Sequence, residues 1–216
     1  MASLTSGRRK KAINPLSPTG NLAQTTTPFT DQETGIQFQR FFGARTNFSF
    51  GIALPQDSST SASFIGQLTF PLSDGNGNVV SSFRQAFDKD NNPPEVTGSF
   101  SLRPITQATS INATFLTYTF LCEGCLSAGL GLNAAAATAE MGWALAGRAV
   151  RNPGSPAGML DFYDKGFGDF QANLEAARNA RFDDGDEDSR DEASSSRRSR
   201  FDNDSSNGGK DSDNND

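Results

Sequence analysis

The chain has 216 residues, 35% of them hydrophobic and 20% charged, with a formal net charge of −6, 18 phenylalanines and no histidine. The missing histidine excludes a Ser-His-Asp triad, a Cys-His pair and any histidine-bearing zinc site, and with them many routes to hydrolysis and metal catalysis. Charge is unevenly placed: residues 1–20 carry four basic groups and no acid, 181–216 carry six basic and twelve acidic groups, and 21–180 carry nine basic and thirteen acidic groups, so no basic face is expected for nucleic acid.

Residues 1–25 are polar and Ser/Thr/Pro-rich, and are expected to form a disordered leader. Arg8-Arg9-Lys10-Lys11 reads as its solvated basic end rather than a nuclear-import patch. No apolar segment follows these charges, so no secretory signal is expected, and no apolar run is long enough to predict a membrane-spanning helix. From Phe29 the pattern changes to period-two alternation, the mark of a half-buried strand. Ile36–Phe42, Asn47–Leu54 and Ser63–Phe70 alternate in turn, the last two ending at Pro55 and Pro71. Asp74-Gly75-Asn76-Gly77 offers two hairpin dipeptides, leading to a fourth strand with Val79, Val80 and Phe83. Asn91-Asn92-Pro93-Pro94 is a break. Val96–Leu102 alternates again, and Ile111–Cys122 is the clearest strand, rich in Thr and aromatics. Glu140–Ala146 completes the series.

Strands at this spacing, separated by Gly/Pro/Asn turns, predict an all-β, antiparallel sandwich over residues 26–182. One C-terminal helix is expected, with Asp169 as N-cap and Phe170, Leu174 and Ala177 on one face. Residues 183–216, Asp/Ser/Arg/Asn-rich with almost no apolar residue, are expected to be a disordered tail. A role for phosphorylation at Ser194–Arg200 is the alternative to a plain solvated tail.

The most specific local motif is Cys122-Glu-Gly-Cys125. A redox role wants a βαβ setting, and a zinc site needs ligands that the chain lacks. A local disulfide or two free thiols remain. Asn47-Phe-Ser49, Asn112-Ala-Thr114 and Asn203-Asp-Ser205 are glycosylation sequons, the first two lying in expected strands. Asp161, Asp164 and Asp169 form an acidic cluster without calcium-loop spacing. Met141, Trp143 and Met159 read as core.

Six stretches, taken together and in order, resemble the cytochrome domain of cellobiose dehydrogenase, a DOMON-like family. They are Thr30–Phe38, Phe48–Pro55, Phe64–Gly66, Phe120–Cys125, Met141-Gly142-Trp143 and Leu160–Gly168. The resemblance runs from Thr26 to Asp183. It implies a two-sheet sandwich holding a b-type haem between one Met and one His ligand. It further implies electron relay from a flavin dehydrogenase, often to copper oxygenases, with no catalysis by the domain itself. By resemblance the setting is secreted and the Cys122/Cys125 motif is a disulfide; the sequons make Asn47 and Asn112 the expected glycosylation positions, which fits such a setting.

This sequence departs from the family pattern twice. The pattern Leu-x-x-His-Asp-x-Gly is met by Leu160-Asp161-Phe162-Tyr163-Asp164-Lys165-Gly166, which puts Tyr163 at the haem histidine. The segment expected between Leu72 and Val79, with the Met ligand in it, is missing, and the turn-rich junction is expected to rejoin the flanking strands as a hairpin. Tyr163 and Met159 are the remaining candidate haem ligands. The leading expectation is a domain without cofactor that serves as a binding or interaction module, or a vestigial form. The alternatives are an electron-transfer domain with Tyr163 and Met159 as replacement ligands, and a carbohydrate-binding DOMON domain that stacks sugars on Trp143 or Tyr163. Expected partners, by resemblance, are a flavin dehydrogenase, a copper oxygenase or a polysaccharide.

Overall fold

A computed structural model describes residues 2–6, 24–57, 62–71, 79–84, 92–127, 132–133, 135–180 and 182. Residues 7–23 and the expected tail 183–216, with Asn203 and Ser194–Arg200 in it, lie outside them, as does Asp74–Gly77.

The strands are β1 Ala2–Ser6, β2 Gln24–Thr25, β3 Thr27–Thr30, β4 Gln37–Gly43, β5 Phe48–Pro55, β6 Phe64–Pro71, β7 Ser101–Pro104, β8 Ser110–Ile111, β9 Phe115–Glu123, β10 Thr138–Leu145, β11 Gly166–Asn173 and β12 Arg178–Asn179. They form two sheets. The larger runs β3-β4-β5-β6-β9-β7, with β12 added to β5 and β8 to β9; the smaller runs β1-β10-β11-β2. Main ladders are antiparallel, with β6 and β9 paired from Phe64↔Cys122 to Pro71↔Phe115.

Side-chain parity explains the layering, because alternate residues of a strand face opposite sides. Even-numbered residues of β5 (Phe48, Phe50, Ile52, Leu54) and β9 (Leu116, Tyr118, Phe120, Cys122) join Met141, Leu145, Phe170 and Ala172 of the smaller sheet in the main core. The odd-numbered Ala53, Ile65 and Leu121 join Ile36, Phe38, Ile105, Ala108 and Phe182 in a second core on the opposite face. All eight residues of β5 are therefore buried.

The second core carries a satisfied polar cluster. Gln67 Nε2 donates to Asp31 Oδ2 at 2.8 Å and to Thr119 Oγ1 at 3.2 Å, and Thr119 Oγ1 donates to Ala108 O at 2.6 Å. Asp31 Oδ1 accepts the Glu33 and Thr34 amides and the Thr34 hydroxyl. Burial of these groups is tolerated because each has partners.

Three expectations are corrected. The C-terminal helix is instead β11, whose residues pair with β10 from Thr138↔Asn173 to Leu145↔Gly166. Asp169 stands opposite Gly142 in mid-strand rather than at the start of a helix. Phe170 and Leu174 are four apart, a spacing common to helix and strand, but Ala172 between them is also buried while Gln171 and Asn173 are exposed. That is period two. Val79–Phe83 form no strand: an isolated bridge links Arg84 to Glu95. β6 is paired on both sides by β5 and β9, so residues 79–84 do not rejoin it as a hairpin. Within the leader, Ala2–Ser6 form a strand on β10.

Candidate functional site

The connection between β10 and β11 carries both candidate haem ligands. Gly147 N donates to Asp164 Oδ1 at 2.7 Å, and Lys165 N donates to Leu145 O at 3.1 Å, closing its two ends together. The Gly147 amide holds the Asp164 carboxyl below its ordinary pKa, with help from the Lys165 and Arg148 charges. Inside the connection Arg151 and Met159 exchange both backbone bonds, at 3.1 and 3.0 Å, across a turn in which Asn152 has φ 59°. Arg148 lies 3.7 Å from Asp161.

Arg84 holds this connection against the rest of the domain. Its guanidinium donates to Ser82 Oγ at 2.9 Å, Pro93 O at 2.9 Å, Gly158 O at 2.8 Å and also to Pro156 O. Leu160 N donates to Asn92 Oδ1 at 2.8 Å. Residues 82–84, Pro93 and the distant Pro156–Gly158 stretch thus meet at one cation. No periodicity or motif marks Arg84, because its partners are backbone carbonyls whose positions depend on the fold.

Met159 is 48% exposed and Phe162 72% exposed. Tyr163 is half-buried, with its ring 6.1 Å from that of Phe162 and inclined by 29°. A six-coordinate haem b needs donors on opposite faces of one plane. Met159 and Tyr163 lie four residues apart on one connection, and the thioether lies at the surface. This donor pair does not fit the group.

Trp143 on β10 is part of the aromatic core. Its indole stacks on Phe48 with centroids 5.1 Å apart and planes 14° from parallel, and lies 6.0 Å from Phe41. Phe41 in turn stacks on Phe170 at 4.5 Å. Gly168 stands opposite Trp143, and a Cβ on it would meet the indole Nε1 at 3.1 Å. The Met-Gly-Trp and Gly-Phe-Gly motifs are therefore one packing unit, an aromatic laid over glycine across two strands.

Cys122 and Cys125 form a disulfide at the end of β9. The turn between them requires glycine: Gly124 has φ +68°, and a Cβ there would stand 2.7 Å from Ser99 O. Asn47, φ 52°, and Asn112 are exposed in turns, correcting their expected strand positions. Asn112 Oδ1 accepts the Thr114 and Phe115 amides at 2.8 Å. Asp161, Asp164 and Asp169 do not assemble: among the described residues no three Cys, Asp or Glu side chains group to hold a metal. No described helix is long and apolar enough to cross a membrane.

A two-sheet antiparallel sandwich with an aromatic inter-sheet core and a strand-end disulfide defines the class. The family model for the cytochrome domain of cellobiose dehydrogenase matches residues 29–77 and 73–184. The chain belongs to that family. It is similar to the cytochrome domain of Myriococcum thermophilum cellobiose dehydrogenase, at 25% identity and TM-score 0.64 over 76% of this chain and 96% of that one. The cytochrome b domain of pyranose dehydrogenase from Coprinopsis cinerea shares the fold, at 21% identity and TM-score 0.62 over 76% of this chain and 95% of that one. A search of curated proteins returned no match.

Proposed function

We propose that this chain is a haem-less member of the cytochrome-domain family, acting as a non-catalytic interaction module or persisting as a vestigial form. Tyr163 at the family's haem-histidine position carries the reading, in a chain with no histidine. Two further observations support it. The family model matches in two pieces that meet at 73–77, the junction where the Met-bearing segment is expected. Met159, the candidate for replacing that ligand, lies at the surface. The chain's own residues here keep the β10–β11 connection closed through Arg84 and Asp164 and leave Phe162 and Met159 for contact with a partner. Secretion and glycans on Asn47 and Asn112 belong to the same proposal.

Titration of the purified chain with haem b tests it. Free-haem spectra throughout are expected. A Soret band that shifts on reduction and vanishes in Tyr163→Phe would replace this reading with electron transfer through substitute ligands.

Carbohydrate binding is the second reading, and it moves from Trp143 to Tyr163. The indole face is taken by Phe48, whereas the exposed Phe162 pairs with the half-buried Tyr163. Cellulose pull-down that falls in Tyr163→Ala and Phe162→Ala but not in Trp143→Phe would select it.

A further inference from the structure

We propose that the edge of β10 turned away from β11 is a strand-acceptor site and that residues Ala2–Ser6 of the same chain are its occupant. The inference rests on main-chain pairing and is independent of the haem question. β10 is paired along one side by all eight residues of β11. Its other side would present a row of backbone N–H and C=O groups, the template for association with a further strand. β1 covers that row antiparallel and without a gap: Ala2↔Leu145, Ser3↔Ala144, Leu4↔Trp143, Thr5↔Gly142 and Ser6↔Met141.

The smaller sheet has little to spare. Without β1 it is one hairpin and the two-residue β2, set against the larger sheet of eight strands. An isolated two-stranded ribbon is marginal in water. Covering β10 therefore both supports the ribbon and removes an edge close to Trp143, where the two sheets meet.

The occupant suits the site. Ala-Ser-Leu-Thr-Ser has neither charge nor proline, and recognition by main-chain bonds makes few demands on side chains. The connection is long enough to be intramolecular. β1 and β2 are the outer strands of a four-stranded sheet, so about 14 Å separates them at the usual strand spacing. The seventeen residues 7–23 reach several times that distance at about 3.3 Å per residue.

Cross-strand cysteines in the full chain test the pairing. Residues directly opposite in an antiparallel ladder have Cα atoms about 4.5–5.5 Å apart, within disulfide range. Thr5→Cys with Gly142→Cys, and Ser3→Cys with Ala144→Cys, are expected to close within one chain under mild copper–phenanthroline oxidation. The new linkage is read by peptide mapping, and an out-of-register Thr5→Cys with Ala139→Cys control stays open. Failure of both in-register pairs, or linkage only between two chains, would overturn the proposal; the latter would name a second copy as the occupant. Leu4→Pro gives an independent readout. Alternate amides of Met141–Leu145 are expected to lose protection from hydrogen exchange by about tenfold or more while β6 and β9 are unchanged. Unaltered protection along β10 would also overturn it.

Discussion

Trp143 lies face to face with Phe48, their centroids 5.1 Å apart and their planes inclined by 14°. The pair joins β10 of the smaller sheet to β5 of the larger, and Phe41 and Phe170 continue the stack. Truncation should loosen the sandwich as a whole. Trp143→Ala is expected to cost about 3 kcal/mol, from lost burial, an open cavity and a lost aromatic pair. Trp143→Phe should cost clearly less. Urea unfolding followed by circular dichroism measures both. Trp143 is the only tryptophan, so emission of the unaltered chain should shift red at the same urea concentration at which the ellipticity is lost.

Gly66 stands directly opposite Phe120, and the phenyl ring covers it so closely that a Cβ would lie 2.7 Å from Cε2. The ring is itself held edge-on by Phe64 and stacked by Tyr118. Gly66→Ala therefore overpacks the site, for about 1–3 kcal/mol. In a Phe120→Leu background the same change should cost much less. A double-mutant cycle measures the coupling, and additive costs would mean that the ring is not what requires the glycine.

The two glycine–aromatic pairs show what could be read from the sequence. Phe-Ile-Gly and Met-Gly-Trp were visible as motifs, and alternation located β4, β5, β6, β9 and β10, because those strands have one strongly apolar face. The helix expected after Asp169 failed because a four-residue spacing serves both periods, and Ala172, the residue that decides, is small and carries little signal. Val79-Val80 reads as strand by propensity, yet β6 already has neighbours on both sides, so no ladder on β6 is open to it. Tyr163 could be placed from its motif. Arg84 could not, since backbone carbonyls leave no trace in composition. β1 could not either: Ala-Ser-Leu-Thr-Ser is too short and polar to predict, and its place is set by an edge formed by residues 138–145.

Arg84 binds carbonyls from Pro93, Pro156 and Gly158. Arg84→Ala should free the connection 147–165 from the 92–95 segment while leaving both cores intact. Proteolytic nicking within 152–158 should rise several-fold, with a loss of about 1–3 kcal/mol for the charged hydrogen bonds. Arg84→Lys should recover little of either, because an ammonium cannot reproduce the planar fork. Limited proteolysis with mass mapping measures the first effect, and chemical unfolding the second.

Gln67 joins Asp31 to Thr119 beneath the second core. Gln67→Leu keeps the volume but deprives Asp31 Oδ2 of its donor. The expected loss is about 1–3 kcal/mol, the cost of leaving a buried acceptor unmatched. Adding Asp31→Asn should recover part of it, since a neutral amide is cheaper to bury than a carboxylate. Urea midpoints of the single and double variants measure this, and a double variant no better than the single would show that the bond to Gln67 is not what Asp31 needs.

Tyr118 gives the fold an alkaline limit. Burial raises its phenol pKa above the ordinary value of 10.0, against the opposing hydrogen bond from Ser81 Oγ at 3.3 Å. The folded chain thus holds the phenolic proton more tightly than the unfolded chain does. This contribution to stability is fully present below pH 10 and is lost as pH rises through the higher folded pKa, because the unfolded state gives up its proton first. Lysine side chains ordinarily titrate in the same region, so the comparison must be differential. Tyr118→Phe should be less stable than the unaltered chain by a roughly constant amount up to about pH 9, from the lost bond to Ser81. Above pH 10 the gap should narrow, because only the tyrosine chain then loses stability to this titration. Urea midpoints of both chains from pH 8 to 11 measure the gap, and a difference that stays constant or widens above pH 10 would rule out a buried, proton-retaining Tyr118.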